Sequence, residues 1–285
     1  SQSAPYITLS ESLYFSVSAA PESRLVGGSP AEITDFPSVV ALVYHYPRPN
    51  IFIQRCVGSL ISSWHVLSSA FCFTGATITN FHISAGSAQS LSGGEIRSVR
   101  QLIQHPDYDE KTRNADIALV ILNQALGISP TVGVLFLPPA NYILPVGLQT
   151  SVASWGFETE DGPQHASLKN ITLTTKNLEL CKEAYKDVDE IKITKAQICA
   201  LNEIAGICFG DAGAPMIYNN VLIGFSSFYK GCGDSSWPDV FTQVSTHTDW
   251  IIEVAVITPN DEKSLTRAAG FTPVARYVRA ALSES

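Results

Sequence analysis

A chain of 285 residues with 45% apolar and 15% charged side chains can bury a substantial core, as one large all-β unit or two compact ones, and disorder is excluded for most of its length. The formal charge of −8, from 18 basic and 26 acidic residues, comes without a long Lys/Arg cluster and so argues against a nucleic-acid partner. No apolar run approaches the roughly 20 residues needed to span a bilayer. Six cysteines, at 56, 72, 181, 199, 208 and 232, form no Cys-x-x-Cys pair. That pattern speaks against metal ligation, no motif for a cofactor is present, and an oxidising, extracellular setting is expected, with fifteen pairings open.

In chain order, residues 1–24 read as a leader arm with alternation in Leu13-Tyr14-Phe15-Ser16-Val17. It has neither initiator methionine nor signal-peptide pattern, so a signal is expected to have been removed before Ser1. Short Val/Ile/Thr/Tyr/Phe runs punctuated by 19 Gly and 16 Pro follow, at 38–44, 51–61, 64–70, 81–85, 96–103, 117–122, 148–154, 168–174, 214–218, 221–228 and 239–244. The rhythm predicts antiparallel strands in a barrel or sandwich. Asn170-Ile171-Thr172 is a glycosylation sequon. A helix is predicted over 247–255 from Trp250, Ile251 and Val254, with Ser245 or Thr246 as its cap and Pro259 beyond its end. In the tail, Val274, Tyr277, Val278, Ala281 and Leu282 recur at helical spacing, a pattern for a helix docked on the body or binding a partner.

Six segments in order carry a resemblance. They are Arg24-Leu25-Val26-Gly27-Gly28, Cys56-Val57-Gly58-Ser59-Leu60-Ile61, Asn114-Ala115-Asp116-Ile117-Ala118-Leu119, Trp155-Gly156, Gly210-Asp211-Ala212-Gly213-Ala214-Pro215 and Trp250-Ile251. Together they resemble the trypsin/chymotrypsin-like serine proteases over about four fifths of the chain. The resemblance implies two six-stranded antiparallel β-barrels with a C-terminal helix, an ancestral site in the cleft between them, and the bridges Cys56–Cys72, Cys181–Cys199 and Cys208–Cys232. It divides the chain into a leader (1–24), a protease-like domain (25–255) and a C-terminal extension (256–285).

The same resemblance assigns the triad positions to Phe71, Asp116 and Ala212, with phenylalanine where the base stands and alanine where the nucleophile stands. Loss of either part in a related triad costs about 10⁶ in rate, roughly 8 kcal/mol of barrier, so the expectation is that the chain is not an enzyme. Asp116, buried without an imidazole, needs other donors, expected from Ser227 and from backbone N–H groups near Ala70 and Phe71. Gly210, Asp211 and Ala212 match the oxyanion turn. Gly206 matches the floor of the specificity pocket, Asp239 a wall from which a carboxylate could enter it, and Tyr229 the glycine at its mouth. The Tyr229 phenol is expected to narrow or close that pocket; turned to solvent, it would leave it open. Arg24-Leu25 matches the activation cleavage site, and the uncut form is expected.

These features imply a secreted, catalytically inactive homologue that works by binding a protein, whether a protease, a protease substrate or an inhibitor, as regulator or cofactor of an extracellular proteolytic or defence cascade. A structural or storage protein that self-assembles through its leader or tail is the competing expectation; small-ligand binding in the former pocket, weakened by Tyr229, is a third and residual serine-type hydrolysis a fourth.

Overall fold

The computed structural model describes residues 26–157, 159, 162 and 166–255; the leader, the Arg24-Leu25 junction and the C-terminal extension lie outside them. Strands β2 (Val39–Tyr46), β3 (Ile51–Leu60), β4 (His65–Ser68), β5 (Phe81–Ala85), β6 (Glu95–Gln104) and β7 (Ala118–Leu122) close a first antiparallel barrel in the order β2-β3-β4-β7-β6-β5. The second barrel uses β8 (Gln149–Ser154), β9 (Lys169–Lys176), β10 (Gln197–Leu201), β11 (Pro215–Tyr218), β12 (Val221–Phe228) and β13 (Asp239–Gln243). It closes through the β8–β9 ladder, and the two-residue strand β1 (Ser29–Pro30) pairs with the start of β9. Helix α1 (Leu178–Ala184) precedes β10 and helix α2 (Thr248–Val254) follows β13.

Strand β2 shows why the barrels stay together. Its run Val39-Val40-Ala41-Leu42-Val43 is apolar at every position because both faces are buried: Val40 and Leu42 fill the first barrel with Leu60, Phe81 and Val120. Val39, Ala41 and Val43 face the other way, into a cluster with Val152, Trp155, Leu173, Ile198 and Phe241 of the second barrel. A strand buried on both sides reads as a continuous hydrophobic run rather than an alternating one. A third cluster, including Leu67, Leu119, Leu222, Phe225 and Ile251, packs α2 against the junction of the barrels.

All eleven strand-like runs lie on strands. Three elements were not foreseen: β1, β10 and α1, the last capped by the Asn177 side chain, which accepts from Glu179 N at 3.0 Å. The cap of α2 is a correction. Ser245 and Thr246 lie in a 3-10 turn and bond the carbonyls of Tyr142 and Gln243, and the helix starts after His247 without a side-chain cap. The three disulfides are Cys56–Cys72, Cys181–Cys199 and Cys208–Cys232, with Cα–Cα separations of 6.0, 5.8 and 4.6 Å.

The barrels meet closely at Gly213. Its φ is +81°, and a Cβ there would lie 2.2 Å from Val57 O and 2.3 Å from Ser68 Oγ of the first barrel. Gly75 has a comparable φ of +66° with no atom within 4 Å of its would-be Cβ. Gly75→Ala should therefore cost about 1 kcal/mol of backbone strain. Gly213→Ala adds a clash with backbone and should cost about 3 kcal/mol or more. Urea unfolding of the two variants measures the difference.

Candidate functional site

Phe71, Asp116 and Ala212 come together at the junction of the barrels. Asp116 precedes β7 and is 1% exposed. Ser69 Oγ shares its proton between the two carboxylate oxygens at 2.7 and 2.8 Å, Phe71 N donates to Oδ1 at 2.9 Å, and Ser227 Oγ donates to Oδ2 at 2.5 Å. The guanidinium of Arg113 places Nη1 3.9 Å from Oδ2. Burial raises the Asp116 pKa, while Ser227, Phe71 N, Ser69 and Arg113 pull it down. Ser227 and the Phe71 amide are as expected from the sequence. Ala70 N is not among the donors, and Ser69 and Arg113 were missed.

The reach of Ser227 depends on a defect in the β12–β13 ladder. Ser226 pairs with Phe241 and Phe228 with Val240, so the register slips at Ser227. Successive strand residues normally face opposite sides, and a bulge re-aims one of them. Both serines consequently point inward. Ser227 serves Asp116, while Ser226 Oγ accepts from Ala214 N at 3.1 Å and donates to the carbonyl of Asp211.

Arg113 is set by the loop before β7. Asp109 Oδ1 accepts from Thr112 N and Oγ1 at 2.7 and 2.8 Å, and Asn114 Nδ2 donates to Asp107 O at 3.0 Å. Arg113 and Ala115 take left-handed φ values of +56° and +46°, uncommon for residues with side chains. This winding lays the guanidinium on the Phe71 ring, 3.5 Å from its centroid, a cation–π contact.

The 210–213 turn is fixed from both barrels. Buried Gln54 donates to Gly210 O and Cys56 O, each at 2.8 Å, Val57 N donates to Ala212 O at 2.9 Å, and Gly213 N to Ser226 O at 2.8 Å. Gln54 lies outside every motif, and nothing in the sequence singled it out. Among the described residues the amides of Gly210 and Ala212 donate to no acceptor. Asp211 is fully buried; Gly156 N and Cys208 N donate to its carboxylate at 3.0 and 2.8 Å, and burial raises its pKa to about 7 against the pull of Ser154 and these amides. Val26, the first described residue, accepts from Gly206 N at 3.1 Å.

Between the barrels runs a cleft of about 550 Å³, its walls including Arg55, Phe71, Arg113, Phe209, Ala212 and Tyr229. Asp239 is 4% exposed, takes Ile207 N on Oδ2 at 3.1 Å and stands against Gly206, the matched pocket floor, without lining the wider cleft. Burial pushes its pKa well up. A Cβ on Gly206 would lie 2.8 Å from Gly233 Cα and 3.1 Å from Asp239 Oδ2, so the space above this floor is filled. Tyr229 lines the cleft half-buried, packed against the second barrel and edge-on to Phe209, with centroids 5.9 Å apart. Asn170 lies within β9, partly buried and paired with Ser29 and Ala153, rather than on a loop.

Residues 25–251 match the family model described as Trypsin. The chain belongs to the trypsin family of serine proteases. Among its relatives are "Trypsin CFT-1" of Choristoneura fumiferana, 31% identical over 241 residues, 83% of this chain and 93% of that protein, and "Trypsin" of Phaedon cochleariae, 31% over 238 residues, 82% and 89%. "Trypsin, alkaline B" of Manduca sexta is 28% identical over 243 residues, 84% and 94%. These names overturn the expectation that the chain is not an enzyme: the relatives are called trypsins, which points to the protease class, and two side chains at Phe71 and Ala212 do not establish inactivity.

The Asp211 environment has a measurable signature. With its pKa raised from 3.8 to about 7, the folded chain holds a proton that the unfolded chain has lost. The stability from this group is full below about pH 4 and is lost as the pH rises through about 7. Denaturant unfolding between pH 5 and 8 should show stability falling with pH, and Asp211→Asn should flatten that slope.

Proposed function

We propose that this chain is secreted and acts by holding a segment of another protein in the cleft between its barrels, as regulator or cofactor of an extracellular proteolytic or defence cascade. The observation that carries the reading is that the cleft stays open while the groups at its base are committed to one another: Asp116 to Ser69, Phe71 and Ser227, and Arg113 to Phe71. The Gly210 and Ala212 amides, which donate to no described acceptor, can take a carbonyl of an extended segment, and Phe209, 52% exposed, offers it an apolar face. Three disulfides favour an oxidising compartment, and among the described residues no helix is long and apolar enough to cross a membrane.

Ala212 is half-buried at the base of the cleft, so Ala212→Leu fills the seat without touching the Asp116 network. Immobilised full-length chain, wild type and variant, should be exposed to native extracellular fluid. A specific protein retained by the wild type and reduced about tenfold by the variant, a change of roughly 1.4 kcal/mol, is the expected result. Retention of no specific protein, or equal retention by both, would overturn the proposal. The intact mass of the retained protein reads whether it is also cut.

A further inference from the structure

We infer that the segment taken by this cleft is acidic, carrying an aspartate or glutamate beside an apolar residue. The inference rests on the cleft-binding reading and names the chemistry of its ligand. In a chain with 26 acidic and 18 basic residues, the charged groups lining the cleft among the described residues are two guanidiniums, Arg55 and Arg113, with no carboxylate. Three acids of the described residues near it are withdrawn: Asp116, Asp211 and Asp239 are 1%, 0% and 4% exposed and are bonded to internal donors.

Both arginines have donors to spare. Arg113 keeps 16% of its side chain exposed and lies over the Phe71 ring, with its buried Nη1 turned toward Asp116. A guanidinium presents five N–H groups in a fork that matches a carboxylate. Stacking on a ring occupies the face of that fork and leaves its edge available. Arg55 uses Nη2 on Thr74 O at 2.9 Å, holds its guanidinium 5.6 Å from the Tyr44 centroid, and forms no ion pair with a described residue. The apolar half of the ligand is read from the aromatic wall, where Phe209 meets Tyr229 and Phe157 at 5.9 and 6.3 Å between centroids. A partner supplying a carboxylate next to an apolar side chain would satisfy the open N–H groups and cover the exposed ring together.

The test passes a randomised octapeptide library over immobilised full-length chain and sequences the retained peptides by mass spectrometry. Aspartate and glutamate should be enriched about fivefold or more over asparagine and glutamine, with the enrichment falling in 0.5 M salt, as expected of partly exposed charge pairs. It should shrink in Arg113→Gln and in Arg55→Gln. Since Arg113 also neighbours Asp116, the Arg55 variant carries the test if the other fails to fold. Retention without acidic enrichment would overturn this inference and leave the cleft reading standing; retention of no peptide would overturn this inference, while the Ala212→Leu comparison decides the cleft reading separately. Binding that appears only after residues 1–24 are removed would assign the cleft to the chain's own leader and overturn the assignment to a partner.

Discussion

A carboxylate buried at the seam between two barrels must be satisfied by the protein itself, and Asp116 imposes that requirement on everything around it. An ionised group left unpaired at such depth costs several kcal/mol. Here the first barrel contributes Ser69 Oγ and Phe71 N, the second contributes Ser227 Oγ, and Thr242 Oγ1 of β13 donates to the Asp116 carbonyl at 3.0 Å. The residue therefore ties the barrels together, and the bulge in β12 exists at the one position where a serine must turn toward it.

The neighbouring cation is set by the same requirement. At 3.9 Å, two unit charges in an effective dielectric of about 20 attract by on the order of 4 kcal/mol before desolvation. A cation–π contact contributes about 0.5–2 kcal/mol. The guanidinium faces the carboxylate, and the Phe71 ring supplies the surface it lies on. The left-handed residues Arg113 and Ala115 are the backbone's concession to that placement. The ring that cannot donate to Asp116 instead holds the cation that faces it, and this arrangement gives the cleft its positive wall.

Much of the fold was legible because it rests on patterns that leave a local trace. Runs such as Val39–Val43 and Val221–Phe228 are strands whichever barrel they join, while β10 is a short strand with few β-branched residues and α1 a helix of two turns, both below what periodicity resolves. The motif residues Phe71, Asp116, Asp211 and Ala212 assembled at one junction. Gln54, Ser69 and Arg113 did not announce themselves, since each acts through a contact that only closure of the barrels creates: Gln54 reaches a carbonyl 156 residues away. For Asp239, spacing gives the neighbours along the strand and not the depth at which its carboxylate is buried.

Phe71 and Ala212 are facts about two positions, whereas the names of the relatives concern the protein class; the geometry adds that the base of the cleft is internally satisfied around Asp116. A double-mutant cycle tests that directly. Arg113→Met, Asp116→Asn and the double variant, compared with the wild type by denaturant unfolding at pH 7, should give a coupling energy of about 1–3 kcal/mol. A coupling indistinguishable from zero would mean that Arg113 does not serve the buried carboxylate, and would contradict this account of the cleft.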